Sequence, residues 1–368
     1  MDLKSSMICA PTVKPRYTNL AITQSATIPL KKVGPVKIIS PEFSAELMVP
    51  LATFEAPLWP STARGARVTY QSGGIRAVVI DERMSRSIVV EAQDVIQAAT
   101  ITQSVLNRLN EIELLVSSNS RFARFKDLHT QIVGNLIYLR LEIGTGDASG
   151  HNMVTQAAEN LMNWLLAQYP LTYVSLSANY CSDKKVSAVN GILGRGKYVV
   201  AETLIPEALC LSLLHVSPQK LVDLHIKKNL MGSILAGGLR SANAHFANIL
   251  LAFYLATGQD AANIIEGSQG FVHAETRSEG LYFSVTLPNL IVGTVGNGKD
   301  LDFARQNLEA LGCLAEVESG LNSRRLAVII AATVLCGELS LLAALCNPGE
   351  LMRSHIAIER HKKSKSHA

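Results

Sequence analysis

Over Asn135-Leu-Ile-Tyr-Leu-Arg-Leu-Glu-Ile143 the chain alternates apolar and polar side chains, the period of a half-buried strand. From Met153 to Met162 the apolar residues return at helical spacing instead. Between the two lies Gly144-Thr-Gly-Asp-Ala-Ser-Gly-His-Asn-Met153, so the pattern predicts a strand, a glycine turn and a helix. It extends outward on both sides. Ile88–Ala92 predicts a strand, Val95 to about Leu115 a long helix, and Phe122–Ile143 strand material around a turn. The helix after the glycine turn runs to about Gln168, and Thr172–Ser177 adds a last strand. The order β-α-β-β-α-β predicts a ferredoxin-like module of about ninety residues.

Elsewhere the pattern is coarser. Pro11, Pro15, Pro29 and Pro35 punctuate residues 1–40, which read as irregular, and Met48–Glu55 begins a more ordered region. Val200–Leu204 reads as a strand. A long helix is predicted from Leu224 to Thr257, broken near Gly237-Gly238 and ended by Gly258, a residue suited to a left-handed cap. Arg277–Gly296 alternates like strands, and 301–346 is helical. Leu326–Leu345 is long enough for a bilayer, but Glu338 in its middle and its many small residues predict a buried helix.

Composition sharpens this. With 48% hydrophobic and 17% charged residues among 368, the chain has ample material for a core, and the low aromatic share of 5% leans towards helix-rich packing. The six cysteines at 9, 181, 210, 313, 336 and 346 form no CxxC pair, which fits reduced thiols in the cytoplasm and excludes a zinc knuckle or disulfide framework. The N-terminus lacks the apolar core of a signal peptide, so no membrane association is expected. The net charge of +4 is mild, and the basic run Arg360–Lys365 reads as a solvated end rather than a nucleic-acid surface. No HExxH pair, GxSxG elbow or Walker loop occurs, so no metal and no nucleic-acid partner are expected.

The glycine turn is G-x-G-x-x-x-G, one residue off the dinucleotide fingerprint of a Rossmann domain, and the following strand ends in Ser177-Ala-Asn179 without the acid that would hold a ribose. Context therefore excludes a Rossmann domain. The turn still sets backbone N–H groups at a helix start, where the helix dipole favours phosphate. A plain strand-to-helix connection remains the alternative.

Four more segments join the 144–153 loop: Ser177-Ala-Asn-Tyr-Cys-Ser-Asp-Lys-Lys185, Thr257-Gly-Gln-Asp-Ala-Ala262, Gly293-Thr-Val-Gly-Asn-Gly298 and Leu351-Met-Arg-Ser-His355. In order and spacing the five blocks resemble the hydroxymethylglutaryl-coenzyme A reductase family, closer to its eukaryotic and archaeal class, from roughly Ile28 to Arg360. The resemblance implies an α+β fold. A large helix-rich substrate domain (28–87 and 188–368) would carry an inserted ferredoxin-like NADP-binding small domain (88–174), with a catalytic loop at 175–187 and an irregular segment at 1–27. It implies reduction of 3-hydroxy-3-methylglutaryl-CoA to mevalonate and coenzyme A with two NADPH. It further implies a homodimer or homotetramer with sites formed across subunits.

By the same resemblance Lys184 faces the oxygen that gains charge during reduction, Glu55 donates a proton, Asp260 ties Lys184 and Glu55 into one network, and His355 protonates the departing thiolate. Substrate positions are Ser61, Arg64, Arg86, Ser177, Asp183, Lys185, Lys228, His245 and Asn248; the last two, three apart, would share one helical face. Cofactor positions are Ser120, Arg121, Phe122, Asp147, Gly150, Asn152, Gly293, Gly296 and Arg360. Arg121 and Arg124 supply charge that favours NADPH over NADH. Several positions depart from the family pattern. Ala56-Pro-Leu-Trp-Pro60 replaces glycine and small residues and could reshape the substrate pocket, Ala63 replaces an asparagine, Ser149 and His151 replace methionines, and Glu359 replaces a frequent asparagine. The altered 56–63 segment leaves the alternative of a paralogue acting on another acyl-CoA or mainly in the oxidative direction; a catalytically silent homologue is the other alternative, disfavoured because Glu55, Lys184, Asp260 and His355 are all present.

Overall fold

Strand β3 (Ile75–Glu91) is seventeen residues long and belongs to two sheets at once. Its first half pairs with β7 (Gly196–Pro206) and its second half, from Met84, with β5 (Leu136–Gly144). The computed structural model describes residues 26–118 and 120–360, with the side chains of Glu359 and Arg360 outside that description. Most of the irregular 1–27 segment, Cys9 and the basic run after Arg360 also lie outside the described residues.

The smaller sheet is the ferredoxin-like module. Strands β4 (Arg124–Val133), β5, β3 and β6 (Thr172–Ser175) lie side by side in that order, all antiparallel. Helices α2 (Val95–Leu106), α3 (Leu109–Ser117) and α4 (His151–Gln168) lie over it. The long helix expected over 95–115 is thus two, parted at Asn107-Arg108. Their apolar stripes meet Ile137, Leu139 and Leu141 of β5 in one core.

The larger sheet runs β2 (Ser44–Ala52), β1 (Leu30–Ile39), β3, β7, β9 (Gly280–Leu290), β8 (Phe271–Arg277). The expectation that residues 1–40 are irregular fails for Leu30–Ile39: pairing with β2 overrides the prolines, and Gly34-Pro35 falls where the register shifts. Helix α1 (Leu58–Gln71) packs on this sheet. The chain then passes through α5 (Ala188–Leu193), α6 (Glu207–Leu209), α7 (Pro218–Leu224) and α8 (Gly232–Leu235). Next come α9 (Phe246–Ala256), α10 (Ile264–Gly267), α11 (Asp302–Ala310), α12 (Leu321–Cys346) and α13 (Glu350–His355). The helix expected over 224–257 therefore ends at Leu235. Residues 236–245, with Gly237 at φ 71° and Arg240 at φ 49°, form a loop before α9.

Helix α12 is the axis of the large core. Leu326 through Leu335 are wholly shielded, and 94% of its most apolar stretch is buried, as Glu338 and the small residues predict. Close approach explains two glycines: a Cβ on Gly65 of α1 would lie 1.9 Å from the Cys336 carbonyl oxygen, and one on Gly337 would lie 2.6 Å from Ile249 of α9. Each apolar side chain so buried contributes about 1.5–3 kcal/mol. Trp59 joins this core rather than the substrate side of α1, its indole N–H donating to Leu51 O at 2.9 Å.

Candidate active site

The segment Ser177–Lys185 leaves β6 and crosses from the small sheet to α5 in a conformation few side chains adopt. Asn179, Ser182 and Lys184 have φ of 60°, 47° and 55°. Left-handed backbone costs an L-residue on the order of 1–2 kcal/mol, so the loop must be held from below. Arg140 donates to Tyr180 O at 3.2 Å, Ser87 Oγ accepts Cys181 N at 3.0 Å, and Asn190 Nδ2 donates to Ser182 O at 3.1 Å. Glu266 Oε1 accepts Lys184 N at 3.0 Å.

Held this way, Lys184 Nζ lies 2.7 Å from Asp260 Oδ2. The hydrogen bond to Asp260 raises the lysine above its ordinary value. Partial burial works against the Asp260 carboxylate, yet the Lys184 ammonium holds it below the usual range. Both groups are therefore charged at neutral pH. Beside them Asp183 sits 3.0 Å from Arg195 and 3.8 Å from Arg86. Arg86 also reaches Ser177 Oγ at 3.4 Å and Thr155 Oγ1 at 2.9 Å. Lys185 turns outward, donating to Asp183 O at 3.1 Å.

Lys184 and Asp260 line a cavity of about 670 Å³ together with Gly150, Asn152, Gly296 and Lys299. Gly150, at φ 93°, precedes α4 and no side chain caps the helix, so the first-turn N–H groups of this 18-residue helix face the cavity with positive partial charge. A Cβ at Gly150 would meet Thr145 at 2.4 Å, and one at Gly293 would meet Ser149 N at 2.4 Å, so both glycine loops need their glycines to stack. Burial lowers His151 to about 4, leaving it neutral. Asp147 does not face the cavity: its carboxylate accepts Gly320 N and Ser323 N, each at 2.9 Å, fastening the glycine turn to the start of α12. Met153 lines this cavity and a smaller one of about 250 Å³ at Ser120, next to which Arg121 stacks on Phe122 at 4.7 Å.

A second cavity, of about 490 Å³, collects Glu55, Ser61, Arg64, His245, Asn248 and His355. Pro57 and Pro60 form part of its wall, so the altered 56–60 segment does reach it. Asn248 Nδ2 donates to Glu55 Oε2 at 3.0 Å. Arg64 is engaged by its own chain, to Glu350 Oε1 at 2.5 Å and Ser340 O at 2.6 Å, and Ser61 Oγ bonds Ser340 Oγ at 3.1 Å. His245 does not share a helical face with Asn248. It precedes α9 at φ −156° and turns to α12, its Nε2 3.0 Å from Gly337 O. Lys228 stays outside the wall, its Nζ 3.4 Å from Asn229 Oδ1.

One expected link is missing within a single chain. Among the described residues Glu55 pairs with Asn248 and not with Lys184 or Asp260. Asn248 sits in the first turn of α9 and Asp260 lies beyond its last, so the helix, about 16 Å long at 1.5 Å per residue, separates the two cavities.

Sequence reasoning misses four residues that build these sites. Arg195 and Glu266 support Lys184; Gln259 exchanges two 3.0 Å bonds with the backbone of Gly293. Glu338, wholly buried, accepts Ala244 N and His245 N, the latter at 3.0 Å. Glu338 had drawn notice as a charge in an apolar run, but nothing local identifies its partners. Among the described residues Asp127, His129 and Glu142 also stand close enough to share a metal ion, but both Glu142 oxygens carry arginines, Arg140 at 2.7 Å and Arg83 at 2.5 Å.

The family model for hydroxymethylglutaryl-coenzyme A reductase matches residues 21–360. A 3-hydroxy-3-methylglutaryl-coenzyme A reductase of Aeropyrum pernix is 41% identical over 336 residues, 90% of this chain and 79% of its own. That of Pyrococcus abyssi is 41% identical over 337 residues, 90% of this chain and 82% of its own. A plant reductase, from Solanum tuberosum, is 41% identical over 91% of this chain and 59% of its own length. Among solved structures a class II reductase from Streptococcus pneumoniae superposes with a TM-score of 0.72 at 20% identity, covering 89% of this chain and 87% of its own, which shows the shared fold.

Proposed function

The chain belongs to the hydroxymethylglutaryl-coenzyme A reductase family, and from that premise we propose that it reduces 3-hydroxy-3-methylglutaryl-CoA to mevalonate and coenzyme A in two steps, using two NADPH. The observation that carries the reading is the Lys184–Asp260 pair at 2.7 Å, set in the same cavity as the open N-terminus of α4.

Each reduction step puts negative charge on the former carbonyl oxygen. An ammonium fixed in advance at that oxygen stabilises the charge without reorganising solvent, and Lys184, kept protonated by Asp260, is the group for it. NADPH supplies the hydride when bound. The first-turn N–H groups of α4 behind Gly150 suit its phosphates, with Asn152 and Gly296 on the surrounding wall and Gly293 packed behind it against Ser149. Ser120, Arg121 and Phe122 suit the adenosine end and favour the extra phosphate of NADPH over NADH. Asp147 acts there by holding the turn; Arg360 keeps its place in this reading by resemblance alone.

In the other cavity Glu55 is the proton donor, Asn248 orients it, and His355 protonates the leaving thiolate. Arg64, Arg86, Ser61, Ser177, Asp183, Lys185, Lys228 and His245 complete the substrate contacts. Since Glu55 and Lys184 lie at opposite ends of α9, the reading requires a homodimer or a dimer of dimers in which Glu55 of one copy meets Lys184 of the next. A cytoplasmic location belongs to the same reading. It rests on unpaired thiols, and the long apolar helix α12 is occupied by the core.

Following NADPH oxidation with 3-hydroxy-3-methylglutaryl-CoA, and identifying mevalonate and free coenzyme A by mass spectrometry, tests the reading. Stoichiometric oxidation of two NADPH per mevalonate is expected. No oxidation at any thioester concentration would overturn it, and oxidation only with other acyl-CoA esters would transfer it to a paralogous substrate.

A further inference from the structure

We propose that Glu266 and Arg195 are positioning residues for this reaction, a buried clamp that holds the Lys184 loop in the backbone conformation that brings its ammonium to Asp260; the inference rests on the function proposed above. Residues 260–267 grip Lys184 at both ends. Asp260 takes its Nζ at 2.7 Å, and Glu266, six positions on, takes its backbone N–H at 3.0 Å. With both ends fixed, the side chain spans between them.

Arg195 sets the carboxylate that does this. Its Nη1 lies 2.8 Å from Glu266 Oε1 and 3.0 Å from Asp183 Oδ1, and its side chain is wholly buried. The arginine stands at the start of β7 between Gly194 and Gly196, at φ 82° and 99°, and a Cβ on Gly196 would lie 2.4 Å from Leu290 O. The guanidinium therefore projects from a rigid strand end. One cation thus bridges the carboxylate beside Lys184 in sequence and the carboxylate under its backbone. Packing alone does not account for the pair, because apolar residues of the same volume would fill this space without the desolvation of two charges. What the pair adds is direction. A left-handed Lys184 has every reason to relax, and relaxation swings Nζ away from Asp260.

The test compares wild type with Glu266→Leu and Glu266→Gln in the full chain. Glutamine keeps an oxygen for Lys184 N, whereas leucine does not. In Glu266→Leu kcat is expected to fall about 30–100-fold, since a displacement of about 1 Å costs that much, while KM and the NADPH Kd stay within about three-fold. Glu266→Gln should stay within about five-fold of wild-type kcat. Amide hydrogen exchange in the peptide spanning 180–186 should quicken in Glu266→Leu while that of α12 is unchanged. A Glu266→Leu kcat within about two-fold of wild type overturns the clamp, as does a loss that follows global Tm and appears equally in Glu266→Gln. If Glu266→Leu does not fold, the double variant Arg195→Leu/Glu266→Leu removes both charges. The same fall in kcat is expected there, and wild-type kcat would overturn the proposal. Should wild type fail to oxidise NADPH with 3-hydroxy-3-methylglutaryl-CoA, the functional reading falls. The exchange comparison still decides the clamp, and unchanged protection at Lys184 in Glu266→Leu would end it.

Discussion

Beneath the Lys184 cavity the buried carboxylate of Glu266 accepts a backbone N–H and faces the guanidinium of Arg195. Beneath the Glu55 cavity the buried carboxylate of Glu338 accepts the backbone N–H groups of Ala244 and His245, and among the described residues no arginine pairs with it. Each carboxylate fixes a segment beside the cavity above it, the Lys184 loop in one case and the entry to α9 in the other. Burial raises Glu266 above its ordinary value and the Arg195 guanidinium pulls it back down, so the first floor holds its strained loop with a cation built in. The second floor holds the entry to α9 with hydrogen bonds alone, and burial pushes Glu338 up to about 7. Lys184 stands over a carboxylate paired with a buried guanidinium, while Glu55 stands over a carboxylate held by hydrogen bonds alone.

The comparison assigns the electrostatic work to the first cavity, and the largest effect should be found there. Lys184→Ala is expected to lower kcat by about 10³-fold or more, since it removes a preorganised charge from the reacting oxygen. NADPH binding, measured by fluorescence quenching, should be unchanged. Near-normal turnover would remove Lys184 from the chemistry and leave the two cavities without a division of labour.

A second prediction joins the cavities. Glu55→Gln and Lys184→Ala chains, each inactive alone, should regain about one quarter of wild-type activity when refolded together in equal amounts. Random pairing makes half the dimers mixed, and each mixed dimer has one of its two sites whole. If the mixture stays inactive while mixed dimers are demonstrated, the two cavities are not halves of one site.

The glycine turn offers a smaller effect. Gly150→Ala places a Cβ 2.4 Å from the Thr145 methyl at a φ of 93°, so the start of α4 must shift. NADPH affinity should fall about ten-fold, with a stability loss of about 1–3 kcal/mol in thermal unfolding. Unchanged affinity would mean that the α4 N-terminus does not hold the phosphates.

What the sequence disclosed follows the same division. The strand, glycine turn and helix over 135–168, and the buried α12, were readable because their patterns are local and periodic. Lys184, Asp260 and Glu55 came from motif order, which names positions but not neighbours. Glu266 and Arg195 are 82 and 11 positions from Lys184, and no local signal joins them. His245 was assigned to a helix face because helical periodicity continues through it. The left-handed residues Gly237 and Arg240 end the earlier helix and leave His245 outside α9, where Glu338 can reach its backbone. The altered 56–60 segment reads in the sequence as one unit that could reshape the substrate pocket; Pro57 and Pro60 do line the cavity, but Trp59, the second residue of α1, turns its ring into the core.

The smallest effect tests the floor under Glu55 through its pH dependence. Glu338 is raised by burial from 4.5 to about 7, so the folded protein binds its proton more tightly than the unfolded chain does. Its contribution to stability is therefore fully present below pH 4.5 and is lost as pH rises through 7, by at most about 3 kcal/mol. The groups facing it are His245, 4.0 Å away, and Lys228, which pulls it down only weakly. Burial lowers His245 from 6.5 to about 4, so that ring acts in the opposite sense, its contribution being present above pH 6.5 and lost as pH falls through 4. The two slopes partly cancel in wild type. Glu338→Gln removes one of them and keeps an acceptor for one of the two N–H groups. Its stability relative to wild type should improve between pH 5 and pH 8, by about 1–2 kcal/mol in urea titrations. Its KM for the thioester should rise a few-fold at every pH as Asn248 loosens. A difference that is flat with pH would place the Glu338 titration outside the folded protein's working range and make both floors equally rigid.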